Sequence, residues 1–494
     1  MARTKIVCTI GPSTSSDRMI SSMIKAGMDV ARLNFSHGNH EEHRQYTDAI
    51  RRWSHKLQKP VAVLQDLQGI KIRIGNVEGG TVKLRKGQTI LLKPGDDVTT
   101  SKTIFISYPA LHKDLRKGHR VLLDDGLIEL VVTGKKRGAV VASVKEDGLL
   151  TNHKGVNLPD SRISLSPFTD KDQDDLAFGI EMGVDYVALS FVIKASDIRK
   201  VKEWLSQRGV NIPVIAKIEK PEALIQIDSI LDVADGIMVA RGDLGVEVPP
   251  EEVPLIQKDL IRRANERGKL VITATQMLES MREHLRPTRA EATDVANAVI
   301  DGTDALMLSA ETATGRYPVE SVRMMKRIIE YTERSAVLIH GDSSSFSLKL
   351  DRDERLSLAV ADAAVSAAAD VRARCIVAFT RSGFTALLVS KCRPSVPVIA
   401  FTPDEAVMRR LSLYWGVRPL QMRPLTHTDE MVFEVEKTLI NRKVARIGST
   451  IILIASSPLH DRGKTNFMKI HRIESPGSRT VWKNEKKDRL STDP

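Results

Sequence analysis

Cysteine is scarce in this chain: three among 494 residues, Cys8, Cys375 and Cys392, scattered and without a CxxC pair. That excludes a disulfide framework and a cysteine zinc site, and it suits a reducing compartment. Aromatic residues are thin as well, at 4%. Few rings are available to stack bases, and Lys and Arg are spread along the whole length. The net charge of +12 therefore argues for a solvated surface that favours anionic small molecules rather than for nucleic-acid binding. Long apolar runs are missing; none approaches the roughly 18 residues that cross a bilayer. The short apolar stretch ending at Gly11 and Pro12 has the β-branched character of a strand, not of a secretion signal. A cytoplasmic protein with neither a membrane nor a nucleic-acid partner is expected.

What is present is a rhythm. Short β-branched runs at 5–10, 28–35, 61–66, 184–191, 212–218, 236–241, 270–275 and 304–309 alternate with helical periodicity at 16–26, 40–57, 170–182, 195–208, 221–233, 252–267, 288–301 and 318–334. Eight strands and eight helices in βα order predict an α/β TIM (β/α)8 barrel from residues 1–69 and 167–340. Between the third strand and its helix, residues 70–166 carry short alternating segments punctuated by Gly. These predict an inserted all-β domain, a small barrel or sandwich, placed as a lid at the barrel mouth. A polar break at 341–356 precedes a second alternating region, so residues 341–475 are expected to form a C-terminal α/β domain with its own sheet. The polar tail 476–494 is expected to be disordered.

Catalytic residues of such barrels project from the C-terminal strand ends. Those ends read Arg32, Asn34, Ser36 and His37; Asp66, followed by Lys71 and Arg73; Lys217 and Glu219; Arg241, Gly242 and Asp243; Thr275 and Gln276; Ser309 and Glu311. Charges and hydroxyls at the ends of apolar strands cost stability, and folding alone does not explain so many at one rim. Glu219 and Asp243 can hold Mg²⁺ with several waters retained. Arg32, Arg73 and Lys217 can neutralise a phosphoryl group in transfer. Two other motifs carry less. RGKT at 462–465 lacks the P-loop glycine, because Pro458 stands in its place. His40 and His43, three and six residues after His37, read as a solvated helix face rather than a metal site.

The strings TKIVCTIGP, MDVARLNFSHG, KGVNLP, AKIE, MVARGDLGVE, TATQMLESM, PTRAEATDVANAV and LMLSAETATGRYP closely resemble the pyruvate kinase family, in the family's order, over residues 3 to 475. The resemblance implies Mg²⁺-dependent phosphoryl transfer between phosphoenolpyruvate and ADP, with pyruvate and ATP as products and Mn²⁺ as an alternative metal. It assigns the metal to Glu219 and Asp243, and the phosphoryl group in flight to Lys217 with Arg32 and Arg73. The substrate carboxylate falls to the backbone of Arg241, Gly242 and Asp243 with Thr275. Thr275 and Ser309 would help protonate the enolate, and the nucleotide falls near Pro12, His37 and Lys154. The family commonly has DxxGPEIR after the third strand, where this chain has DLQGIKIR. Lys71 thus stands where relatives that bind potassium carry an acid; their potassium lies among positions matching Asn34, Ser36, Asp66 and the Leu67 carbonyl. An ammonium supplies the same unit charge, so potassium independence is expected. Thr314 and Glu42 also depart from common family residues near the nucleotide. Thr380, Arg381, Ser382, Gly383 and Thr385 resemble the family's loop for a phosphorylated allosteric effector, and the family is usually a homotetramer. Two alternatives remain beside this one: an enzyme that enolises or cleaves keto acids with Mg²⁺, and a catalytically silent binding protein.

Overall fold

A computed structural model describes residues 2–136, 138–161, 165–340, 348, 352–424, 427–456 and 465–474. The expected tail and most of the loop containing RGKT lie outside these residues. The chain divides into two compact units, Met1–Lys349 with Ser412–Trp415, and Leu350–Leu411 with Gly416–Pro494.

Eight parallel strands close the barrel of the first unit: Lys5–Thr9, Val30–Asn34, Ala62–Asp66, Tyr186–Leu189, Val214–Ile218, Gly236–Ala240, Leu270–Ala274 and Ala305–Leu308. Parallel strands covered by helices are buried on both faces, which is why their sequences run apolar rather than alternating. The fifth, VIAKI, is buried at every position even though it carries Lys217. Helix starts follow local chemistry. Asn39 caps the helix His40–Lys56 and exchanges hydrogen bonds with Glu42; Thr169 with Asp172 and Thr288 with Glu291 do the same for Asp170–Glu181 and Arg289–Ile300. The unusual Glu42 therefore has a capping role. Short elements escaped the periodicity, among them Leu111–Asp114, Ala310–Ala313 and a seven-residue helix, Arg241–Glu247, directly after the sixth strand.

The insertion is all-β, as anticipated: an antiparallel-rich six-stranded sheet and a ribbon in which Gly148–Thr151 pairs with Thr81–Leu84. It packs a core of its own around Leu84, Ile90, Leu92, Ile104, Val121 and Leu130. Its entry and exit run side by side: Arg73 bridges Gly155, and the Val156 N–H donates to the Ile72 carbonyl at 3.0 Å.

In the second unit a five-stranded sheet is ordered Val417–Gln421, Val398–Thr402, Ile376–Phe379, Thr450–Ala455 and Phe467–Arg472; the last strand alone is antiparallel. The two outer strands were not expected from the sequence. Val417–Gln421 contains Pro419, and Phe467–Arg472 is largely exposed. Edge strands need no continuous apolar run and tolerate proline. No helix among the described residues is long and apolar enough to cross a membrane.

Candidate active site

The fifth strand ends on Lys217 and Glu219, and both side chains are buried. Lys217 Nζ lies 2.8 Å from Glu219 Oε1 and 3.2 Å from Asp66 Oδ1, and it donates to Ser190 Oγ at 2.7 Å. Ser190 Oγ in turn donates to the Leu67 carbonyl at 2.8 Å. Arg32 reaches the same carboxylate from the second strand, Nε to Asp66 Oδ2 at 2.6 Å, and donates to Thr9 Oγ1 at 3.0 Å. Burial alone would lower the Lys217 pKa, but Asp66, Glu219 and Asp243 outweigh it and hold the ammonium charged. Burial would raise Asp66, but Lys217 and Arg32 keep it ionised.

Glu219 and Asp243 behave differently: both are pushed up, first by loss of solvation and then by neighbouring carboxylates. Asp243 is exposed at the surface, yet the surrounding protein and the charges of Asp66 and Asp125 act on its carboxyl. Lys217 offsets part of this on both carboxylates and sits 2.8 Å from Glu219, yet both stay raised, so a further positive charge beside them would be favourable. Among the described residues no cluster of three or more His, Cys, Asp or Glu is arranged to hold a metal. The donor set therefore fits an ion that keeps waters and takes ligand oxygens from a substrate, as Mg²⁺ does, and not an all-protein cage.

The sixth and seventh strands supply the next wall. The Gly242 N–H donates to Thr275 Oγ1 at 2.7 Å, and a Cβ at Gly242 would lie 3.2 Å from that oxygen. Thr275 and Gln276 have φ of 67° and 55°, a region that a β-branched residue occupies only under constraint. The constraint is Arg241. Its guanidinium donates to the carbonyls of Thr275 at 2.8 Å and Gln276 at 3.3 Å and pairs with Asp294 at 2.6 Å. The Arg241 side chain is thus engaged with the protein, leaving its backbone for a ligand. On the eighth strand the Ser309 N–H donates to Glu311 Oε2 at 2.7 Å, while Glu311 Oε1 accepts from the Leu278 N–H at 3.1 Å. Ser309 Oγ is buried without a hydrogen-bond partner.

A basic flank lies beside the second and third strands. Lys71 Nζ is 3.4 Å from the Ser36 carbonyl, and the Ser36 N–H donates to Asn34 Oδ1 at 3.2 Å. Burial, then Arg73 and Lys171, bring the Lys71 pKa down to about 8. His37 is lowered by burial and by the charges of Lys71, Arg73 and Arg32. Cations crowded this closely suit a polyanion. Lys154, brought across from Arg73 by the paired lid ends, is tied to Asp124 at 2.8 Å. Pro12 is exposed and opens a one-turn helix after the first strand. His43 departs from expectation: it is buried, stacked on Phe35 with ring centroids 4.2 Å apart, and bonded to the His37 carbonyl at 3.0 Å. His40, which is exposed, pairs with Asp175 at 2.8 Å.

Residue-by-residue inspection of the sequence missed Thr9, Ser190 and Lys220. Ser190 was findable, because it ends the fourth strand just as the other candidates end theirs. Cavity size would have misled. A cleft of about 790 Å³ lies along the outer helices between Lys25, Arg286 and Arg327, away from every strand-end charge.

The barrel-domain model of pyruvate kinase matches residues 1–322, and the α/β-domain model matches 358–471. The chain belongs to the pyruvate kinase family. It is 45% identical over 476 residues to the pyruvate kinase of Sporosarcina psychrophila, covering 96% of this chain and 81% of that one. For the Geobacillus stearothermophilus pyruvate kinase the identity is also 45%, over 474 residues, 95% of this chain and 80% of the other. A crystal structure of a pyruvate kinase from Cryptosporidium parvum superposes with a TM-score of 0.88 at 38% identity, covering 95% and 96% of the two chains. The chain is accordingly a phosphotransferase.

Proposed function

We propose that this chain transfers the phosphoryl group of phosphoenolpyruvate to ADP. The observation that carries the reading is the buried ammonium of Lys217, held charged between Asp66 and Glu219 and aimed by Ser190. The bond from phosphorus to the enol oxygen breaks as a β-phosphate oxygen of ADP bonds to phosphorus, and negative charge spreads over the group in flight. Lys217 and Arg32 meet that charge in a site already stripped of water, where a fixed cation is worth most. Arg73 meets it from the lid side. Mg²⁺, with Mn²⁺ as its substitute, would be held by Glu219 and Asp243 and would neutralise phosphoryl and carboxylate oxygens. The backbone around Arg241, Gly242 and Asp243 receives the substrate carboxylate together with Thr275, whose hydroxyl accepts from the Gly242 N–H and fixes the loop. The enolate left behind takes a proton at its methylene carbon, on the side where Thr275 and Ser309 stand. The nucleotide lies along Pro12, His37 and Lys154.

Lys71, whose ammonium reaches the Ser36 carbonyl at 3.4 Å, is read as the built-in replacement for a potassium ion at positions matching Asn34, Ser36, Asp66 and Leu67. In the second unit a cavity of about 610 Å³ is lined by Thr380, Arg381, Ser382 and Thr385 together with Arg423. Gly383, at φ 94°, caps the helix Phe384–Lys391, and its N–H bonds to Thr380 Oγ1 at 2.8 Å. Hydroxyls, arginines and a helix start suit a phosphorylated allosteric effector. A cytoplasmic homotetramer completes the reading.

Lys217→Met tests it in a coupled assay of ADP-dependent pyruvate formation. The expected loss in kcat is about 10²–10³; a loss under tenfold would refute the electrostatic role.

A further inference from the structure

The residue after Glu219 is Lys220, and its side chain is buried as well. Its ammonium lies 2.5 Å from Glu247 Oε1. Glu247 is the last residue of the short helix Arg241–Glu247, which also carries Gly242 and Asp243. The ion pair therefore ties the loop after strand five, next to Glu219, to the helix after strand six that carries Asp243. A third group joins it. Asn157, where the lid returns to the barrel, donates from Nδ2 to the same Oε1 at 2.8 Å. Further along the lid, a Cβ at Gly126 would lie 3.5 Å from Val246 Cγ1, so the lid packs against this helix next to Glu247. The other oxygen, Glu247 Oε2, is buried without a hydrogen-bond partner.

A buried carboxylate that loads both donors on one oxygen and leaves the other dry is an expensive way to hold a helix end. A backbone cap would do so at lower cost. What this arrangement adds is a link between three segments distant in sequence: the lid, the loop carrying Glu219 and the helix carrying Asp243.

We propose that Glu247 is a positioning residue, a buried acceptor shared by Lys220 and Asn157, through which lid placement sets the spacing of the two carboxylates that hold the metal. The proposal rests on the metal reading of Glu219 and Asp243 given above. Glu247 and Lys220 touch neither substrate nor metal; they act by fixing the groups that do.

The test is Mn²⁺ binding to the substrate-free, full-length protein, followed by the electron paramagnetic resonance of the free ion. Asn157→Ala and Lys220→Met are each expected to weaken binding about tenfold, the scale on which outer-sphere contacts tune metal sites. The double variant should lose little more than Lys220→Met alone, because both act through one carboxylate. Lys220→Arg should restore most of the affinity. In turnover, the apparent KM for the metal rises while kcat at saturating metal changes less than about threefold. Asn157 is only partly buried, so Asn157→Ala keeps the test alive if Lys220→Met folds poorly. Asp243→Asn separates the possible failures. If it loses Mn²⁺ while Asn157→Ala and Lys220→Met bind within twofold of the unaltered chain, Glu247 only supports the fold and the proposal is wrong. If Asp243→Asn binds as before, the metal reading itself fails and takes the proposal with it.

Discussion

Single residues here show what burial does to acid–base chemistry. Burial pushes the Cys8 thiol well above its ordinary 9.0 and raises Cys375 to about 12. The unfolded chain gives up these protons first, so the stabilisation is complete below pH 9 and drains away as pH rises toward the folded values. The slope reaches about 1.4 kcal/mol per pH unit for each thiol. Urea midpoints at pH 8 and pH 10 should therefore fall further apart in the unaltered chain than in a Cys8→Ala/Cys375→Ala variant. Lys71 carries a second prediction. Lys71→Glu should make turnover depend on added potassium by tenfold or more, about 1.4 kcal/mol of charge interaction in the transition state, whereas the unaltered enzyme should run in potassium-free buffer. Strong stimulation of the unaltered enzyme by potassium would refute the replacement. Arg32, Asp66, Lys217 and Glu219 were legible as candidates because they lie at or near strand ends. The contacts between them were not: Ser190 and Lys217 are 27 positions apart, and nothing local in the sequence says that one hydroxyl bridges Lys217 to the Leu67 carbonyl.

At the scale of elements, the eightfold alternation was readable because helical and strand periods differ so plainly. What escaped was short or peripheral. Arg241–Glu247 is under two turns and follows its strand with no linker, so no period has room to develop. His43 was placed on a solvated face because its helix starts polar; the aromatic ring of Phe35, not amphipathic spacing, draws it inward. The structure shows capping boxes at Asn39, Thr169 and Thr288. That of Arg289–Ile300 does more than end a helix. Glu291 accepts from the Thr288 N–H at 2.7 Å and also from the N–H and hydroxyl of Ser280, at 2.7 and 2.5 Å. Glu291→Ala should accordingly cost more than the ~1 kcal/mol of an ordinary lost cap, and Thr288→Ala about that amount. Denaturant unfolding of the two variants side by side checks the order.

Across the molecule, separate apolar cores lie around the barrel, inside the lid and about Val377, Phe401 and Leu453 in the second unit, among the described residues. Bodies with independent cores need not melt together. Calorimetry should show an endotherm broader than one two-state transition, with a van't Hoff enthalpy below the calorimetric one; equality of the two would mean a single cooperative unit. The pairing of Arg73 with Gly155 has a different bearing. Because the insertion leaves and rejoins the barrel through neighbouring strands, the eighty residues between those strands hang from it like a pendant on a two-stranded cord. The entropy of closing so long a loop is then met within the pendant's own core, and the barrel is left to close what is in effect a tight hairpin. Arg73 and Lys154 ride on opposite threads of that cord, so whatever displaces one thread carries the other with it.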